Sequence, residues 1–187
     1  MNRLGMNRRR FLETSGQAAV GTMVVLSSGA TMLVAADGAW AMSVEAISGE
    51  QAKVLLHAIR VMYPHDALGD QYYAAVIEAL DQDAAADPEV ATMLKEGATA
   101  LDAAMPMPFL ELSEGHQAAV LETVEETPFF QALRGKTIAV LYNDPRVWQA
   151  FGYEGESFFE GGYIERGFSD LGWLPDPPPG ASPPVET

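Results

Sequence analysis

The chain has 187 residues, a formal net charge of −15 and no cysteine. The acidic balance argues against binding to nucleic acid or to an anionic membrane surface. Without cysteine, disulfides, thiolate catalysis and cysteine-held metal clusters are all excluded. The hydrophobic content of 48% is typical of a globular chain, and the length suits a single domain.

The first residues resemble an export signal. Arg8 and Arg9 stand side by side, and Phe11 and Leu12 follow closely before a weakly apolar run from about residue 16 to 36. This arrangement is typical of a twin-arginine signal, which directs a chain across the membrane after it has folded. We therefore expect a periplasmic protein that engages the twin-arginine translocase.

A cleavage site is predicted at the end of that run. Ala39 and Ala41 supply the small residues that signal peptidase recognises, so residues 1–41 are predicted to be the signal peptide. An alternative is an uncleaved anchor, since the apolar run approaches the ~20 residues that span a bilayer. Its several glycine, serine and threonine residues favour cleavage over anchoring.

Residues 42–152 are predicted to form an all-α, single compact domain of about six helices. Apolar residues recur at helical spacing, and few segments alternate with a period of two. An alanine- and aspartate-rich link is expected from Asp81 to Ala86. Helix starts are expected where a capping residue precedes an apolar run, in several cases directly before a proline: Ser48 with Gln51, Asp70, Asp87, Ser113, Thr127 and Asp144.

A sharp turn is predicted between the first two helices, at Tyr63, Pro64, His65 and Asp66. Two interpretations of these residues are open. Their polar groups serve the turn itself, or His65 and Asp66 form an acid–base pair or two metal ligands. No third ligand has a diagnostic spacing, which favours the structural interpretation. An acidic run further on, at 122–126, is expected to be a solvated helix face.

After the helices, residues 153–176 are rich in glycine and aromatic side chains. Such a segment is too rich in glycine for a helix and too aromatic for disorder. It docks either on its own domain or on a partner. Residues 177–187 are rich in proline and are expected to be a disordered tail. Aromatic side chains and arginine are enriched in interfaces, and the predicted partner-binding residues are Phe158, Phe159, Tyr163, Arg166, Phe168 and Trp173.

No motif for a flavin, nicotinamide, haem or metal cluster is visible, and no catalytic, cofactor-binding or metal-binding residue is predicted on this chain. Folded export is commonly used by proteins that take up a cofactor inside the cell. An economical hypothesis is that the cofactor belongs to a partner that lacks its own signal. The alternatives are a stand-alone periplasmic helical binding protein and a small enzyme that uses His65 and Asp66.

Several motifs in order resemble one family. They are the twin-arginine leader, the Tyr63–Asp66 turn followed by Leu68-Gly69-Asp70, the segment 142–148, and the glycine-aromatic ending at 152–174. Together they resemble the gluconate 2-dehydrogenase subunit 3 family, which includes the gamma subunit of FAD-dependent glucose dehydrogenase. The likeness covers most of the chain from Arg8 to Pro175.

The resemblance implies a non-catalytic small subunit that escorts a FAD-dependent sugar or alcohol dehydrogenase and aids its maturation. The FAD is then expected on the catalytic partner, and a multihaem cytochrome c is a further possible partner. Because the chain has no cysteine, a covalent tie to the large subunit is excluded. No catalytic residue is implied for this subunit.

Overall fold

The computed structural model of the chain describes residues 20–25, 30–35 and 40–162. Within these ranges a three-stranded sheet precedes six α-helices, so the mostly helical class and the number of helices are confirmed. The helices are α1 (Gly49–Met62), α2 (Asp70–Ala86), α3 (Pro88–Ala103), α4 (Glu114–Thr123), α5 (Pro128–Leu141) and α6 (Pro145–Phe151). Two short 3-10 helices lie at Phe109–Glu111 and Ser157–Glu160.

The helices begin where side chains can satisfy their first backbone N–H groups. Ser48 and Gln51 form a reciprocal capping box, in which each side chain accepts a hydrogen bond from the backbone of the other. Asp87, Thr127 and Asp144 each accept from a first-turn N–H, and a proline follows each of them at the first helical position. Since proline has no N–H to satisfy, these starts are doubly favoured.

Two local predictions for α2 are wrong. Gly69 occupies the capping position, and Asp70 is the first helical residue, with a carboxylate 3.2 Å from the guanidinium of Arg60. The predicted link from Asp81 to Ala86 is instead the last part of the helix. Alanine is the strongest helix former, and Ala84 is buried against the core, so both propensity and packing continue the helix.

Ser113 stands at the capping position of α4, as predicted, but its side chain makes no capping bond. Its hydroxyl oxygen lies 2.9 Å from Nδ1 of His116. The side chains of both residues are exposed at this helix start. The acidic side chains Glu122, Glu125 and Glu126 are exposed as well, as a solvated face requires.

Helices α1 and α2 lie at the centre of the bundle. Helix α1 packs against α2, α3, α4 and α5, while α2 contacts α3, α5 and the sheet. Both helices therefore carry wide apolar faces, as the predicted helical spacing requires. The largest fully buried side chains come from four α-helices, two strands of the sheet and one 3-10 helix: Leu33, Met42, Leu55, Leu56, Ile59, Tyr73, Ile77, Leu80, Leu94, Leu101, Phe109 and Leu133.

The sheet is an antiparallel meander that packs on α1 and α2. Its strands are β1 (Val20–Val25), β2 (Thr31–Ala35) and β3 (Ala41–Val44). In β3 the exposed and buried residues alternate, because successive side chains point to opposite faces. The sheet is an element that the sequence analysis does not anticipate.

The predicted signal peptide and this sheet involve the same residues. Strands β1 and β2 lie inside residues 1–41, and β3 crosses the predicted cleavage point between Ala41 and Met42. Cleavage at that point stays a prediction. Among the described residues, none of the helices combines the length and the apolar character needed to cross a bilayer.

Candidate functional site: an aromatic cluster at one end of the bundle

The predicted turn between α1 and α2 is present and is held by several hydrogen bonds. Pro64 disfavours helical geometry at the residue before it, and α1 ends there with Tyr63 as its C-cap. The N–H of His65 then donates to the carbonyl of Tyr63, at 3.0 Å, and the N–H of Leu68 donates to the carbonyl of His65, at 3.1 Å. The guanidinium of Arg60 donates to the carbonyl of Leu68 and closes the turn.

Tyr73 on α2 is hydrogen-bonded to this turn. Its ring is fully buried, and its hydroxyl donates to the carbonyl of Tyr63 at 2.6 Å. The guanidinium of Arg60 lies 4.8 Å from the centre of the Tyr73 ring, a cation–π distance. Burial raises the pKa of the Tyr73 hydroxyl above its ordinary value, which keeps the proton in place for this hydrogen bond.

His65 contacts the end of α5. Its Nε2 atom lies 2.6 Å from the hydroxyl oxygen of Tyr142, and the two rings meet edge to face with centroids 5.6 Å apart. Burial, with Tyr63 and Tyr73 nearby, raises the pKa of the Tyr142 hydroxyl. The short distance therefore joins an imidazole to a phenol that keeps its proton.

The ring of Phe151, at the end of α6, completes the cluster. It lies 4.9 Å from the ring of His65, at an interplanar angle of 65°. Phe151 is nevertheless 45% exposed, so the cluster has one face buried in the bundle and one face open to solvent. We call Tyr63, His65, Tyr142 and Phe151 the aromatic cluster.

Helix α6 is held against the bundle by polar contacts at its start. Asp144 caps the helix and also binds the guanidinium of Arg146 through both carboxylate oxygens. The hydrogen bonds from Arg146 lower the pKa of the Asp144 carboxyl. The indole N–H of Trp148 donates to the carbonyl of Tyr142 at 2.6 Å. The Trp148 bond ties α6 to Tyr142 at the end of α5, the same residue that contacts His65.

The glycine-rich segment begins immediately after α6. Gly152 ends the helix with a φ of +74°, a conformation that glycine adopts without strain. Tyr153 then turns back to meet the ring of Trp148 edge to face, with centroids 5.4 Å apart. Tyr153 is 49% exposed, and Phe158 in the following 3-10 helix is 81% exposed. We call Phe151, Tyr153 and Phe158 the aromatic ridge.

Most of the predicted partner-binding residues lie outside the described residues. Of Phe159, only the backbone in the second 3-10 helix is described. The residues without a described position include the export and cleavage residues Arg8, Arg9, Phe11, Leu12 and Ala39, and the partner-binding residues Tyr163, Arg166, Phe168 and Trp173. The predicted tail at 177–187 also falls outside.

His65 and Asp66 are not brought together as an acid–base pair. The Asp66 side chain is exposed, and in the described part of the chain no hydrogen bond joins it to His65, whose ring contacts Tyr142 instead. No group of three histidine, aspartate or glutamate side chains in the described ranges could hold a metal ion. The hydrogen bonds found at the four turn residues hold the turn, and their assignment to a structural role stays a prediction.

The sequence analysis missed the partners of His65. Tyr142 and Phe151 are 77 and 86 positions further along the chain, and no local pattern links them to the turn. The available signal was the motif at residues 142–148, which was recognised only as part of a resemblance. Comparison of the chain with protein-family models, curated proteins and solved structures found no match.

Proposed function

We propose that this chain is the non-catalytic small subunit of a periplasmic FAD-dependent sugar or alcohol dehydrogenase. In this role it carries the export signal for a leaderless catalytic subunit and stabilises that subunit. The proposal is supported by the twin-arginine pattern at Arg8 and Arg9 and by the ordered motifs that resemble the gluconate 2-dehydrogenase subunit 3 family.

The observation that carries the proposal is the aromatic ridge. Phe151, Tyr153 and Phe158 are each between 45% and 81% exposed, and they lie within eight consecutive positions where the chain leaves the helices. Large exposed aromatic side chains in one region are characteristic of protein interfaces. The ridge is also continuous in sequence with the predicted partner-binding residues that follow it.

Two of the three ridge side chains, Phe151 and Tyr153, pack on other rings of the body, which suits the ridge to binding. Phe151 packs on His65, which contacts Tyr142, and Tyr153 packs on Trp148. Aromatic side chains that are already held in place lose little conformational freedom when a partner covers them. A preorganised surface of this kind favours a lasting complex over a brief encounter.

Charge adds a second constraint on the partner. With a net charge of −15, the chain favours a catalytic subunit whose facing surface is basic. The FAD then lies on that subunit, and a multihaem cytochrome c is the further partner implied by the resemblance. In such a complex the aromatic ridge supplies the contact area, and the negative charge of the chain attracts the basic partner toward it.

The direct test is purification of a tagged chain from the periplasm of its native cells, with identification of any protein that is recovered with it. We expect a stoichiometric complex with a flavin absorption spectrum and dye-linked oxidation of a sugar or alcohol. A colourless chain recovered alone, with the dehydrogenase left in the cytoplasm, would overturn the proposal.

The escort role has its own test. Replacing Arg8 and Arg9 with lysine should leave both proteins in the cytoplasm, because the translocase distinguishes the arginine pair from lysine. The matched control replaces Arg134, an arginine on α5, with lysine and should not change export. A dehydrogenase that still reaches the periplasm with the double variant would exclude the escort role.

A further inference from the structure

Strand β3 makes backbone hydrogen bonds at both of its edges. On one edge it pairs with β2, from Thr31 opposite Val44 to Val34 opposite Ala41. On the other edge the N–H of Ser43 donates to a carboxylate oxygen of Glu78 on α2, at 3.0 Å. A strand normally leaves one row of backbone groups free at a sheet edge, and here a helix side chain binds one of them, the N–H of Ser43.

The residues after β3 are held by one buried carboxylate. Asp81 is 6% exposed, and its two oxygens accept hydrogen bonds from the N–H groups of Glu45, Ala46 and Ile47, at 2.8 to 2.9 Å. Hydrogen bonds to a charged acceptor are among the stronger ones in proteins. Asp81 therefore clamps the segment that joins the sheet to α1.

The side chains of β3 are also engaged. Met42 is 1% exposed and Val44 is fully buried, and both belong to the same core as the helices. Opposite them, Leu33 of β2 is fully buried. The strand is thus held by its backbone on both edges and by its apolar side chains on one face.

From this arrangement we propose that folding protects the peptide bond between Ala41 and Met42 from proteolysis, and that the strands before this bond stay attached to the helical body. A protease binds its substrate as an extended segment and needs free backbone groups and accessible side chains on both sides of the bond. In the folded chain the backbone of β3 is paired with β2, and Met42, directly after the bond, is buried, although Ala41 and Ser43 are exposed. Cleavage there requires β3 to leave the body first.

This inference goes beyond the proposed function and does not depend on it. It concerns when the predicted signal peptide can be removed. Removal at Ala41 occurs before β3 has docked, or it waits for β3 to open. A chain that folds completely before transport therefore keeps its first strands until β3 opens.

The test uses the purified full-length chain and a protease that cleaves after small residues. The product that begins at Met42 is followed by mass spectrometry, beside a synthetic peptide that spans residues 36–47. When opening is fast, cleavage follows the population of the open form, so we expect the folded chain to be cut about a hundredfold more slowly than the peptide. Equal rates for the chain and the peptide would overturn the proposal.

A pair of variants assigns the protection to Asp81. Asp81→Asn replaces an acceptor oxygen with an NH2 group that cannot accept from the clamped N–H groups. We expect about tenfold faster cleavage than in the folded wild type, with the helical circular dichroism retained. Asp83→Asn is the control, since Asp83 is on the same helix but pairs with Lys136.

The two variants also give a result against the proposal. If Asp81→Asn and Asp83→Asn are cut at the same rate as each other, the carboxylate clamp is not what protects the bond. If Asp81→Asn loses its helical signal, Glu78→Ala takes its place, because it removes the acceptor of a single exposed hydrogen bond from the N–H of Ser43. An unchanged cleavage rate in that variant would then count against edge protection by α2.

Discussion

The Nε2 atom of His65 and the hydroxyl oxygen of Tyr142 lie 2.6 Å apart, although 77 positions separate the two residues in the chain. This contact joins the turn between α1 and α2 to the end of α5. Phe151 packs on the same imidazole ring. His65 therefore connects the turn between α1 and α2 to the segment from Tyr142 to Phe151, where the aromatic ridge begins.

Loss of the Tyr142 hydroxyl should weaken that connection. We expect Tyr142→Phe to lower the free energy of unfolding by about 1 kcal/mol, because it removes one hydrogen bond and leaves a partly buried ring nitrogen without its partner. Urea unfolding followed by circular dichroism measures the change. Tyr153→Phe is the control, since the Tyr153 side chain is 49% exposed and should shift the midpoint little. Equal effects of the two variants would contradict the assignment.

High pH should also weaken the aromatic cluster. The pKa of Tyr142 is raised above 10.0 by burial, so the folded chain holds this proton more tightly than the unfolded chain does. The resulting stability is fully present below pH 10 and is lost as pH rises through the raised value. We expect the difference in unfolding free energy between wild type and Tyr142→Phe to narrow above pH 10. A difference that widens in urea titrations at those pH values would contradict this sign.

The aromatic ridge can be tested apart from stability. Phe158→Ala should lower recovery of the flavoprotein in the tagged purification by tenfold or more, because a central interface aromatic is worth about 2 kcal/mol or more. The thermal midpoint of the isolated chain should not change, since Phe158 is 81% exposed. Met107→Ala is a matched control, because Met107 is 48% exposed and lies outside the ridge. An equal loss of complex with both variants would argue against the ridge as the docking surface.

Much of the helical architecture could be predicted from local chemistry. The capping box at Ser48 and the proline-preceded starts at Asp87, Thr127 and Asp144 all fall where the sequence analysis expects them. A capping side chain and the N–H groups that it accepts from lie within three or four positions of each other, so the local sequence contains the whole signal. Gly152, which ends α6, is also a local feature of the sequence. These features needed no knowledge of the fold.

Several of the failed and missing predictions involve distant partners. Asp70 was expected to cap a helix, but its carboxylate forms an ion pair with Arg60 from the preceding helix. Asp81 was expected in a link, and it lies instead in α2, where it binds backbone from residues 45–47. Strand β3 alternates over only four residues, which is too short to outweigh the pattern of an export signal.

The Asp81 clamp should contribute strongly to stability. Asp81→Ala removes the acceptor for three backbone N–H groups, of which the one on Ile47 is buried. We expect the free energy of unfolding to fall by about 3–5 kcal/mol, from lost charge-assisted bonds and unsatisfied donors. Glu78→Ala should cost less than about 1 kcal/mol, because the single hydrogen bond that it removes is exposed. Denaturant titrations that rank the two variants in the opposite order would refute the clamp.

Gly97 and Gly135 both lie within helices, so changing each to alanine brings the same gain in helix propensity. The difference in stability between the two variants then reports packing. Glycine to alanine in a helix interior gains about 1 kcal/mol at either site, if nothing is in the way. At Gly135 a Cβ meets nothing within 4 Å, so Gly135→Ala should stabilise the chain by about that amount. At Gly97 a Cβ would overlap the ring of Phe129, which is buried between α3 and α5.

Gly97→Ala should therefore be less stable than Gly135→Ala by about 1–3 kcal/mol, the cost of forcing a ring out of a packed core. Thermal and urea unfolding of both variants beside the wild type give the comparison. Because both substitutions add the same methyl group to a helix, their difference reports the contact between Gly97 and Phe129 alone. Equal stabilisation by the two variants would mean that α3 and α5 are not packed as closely as the ring position requires.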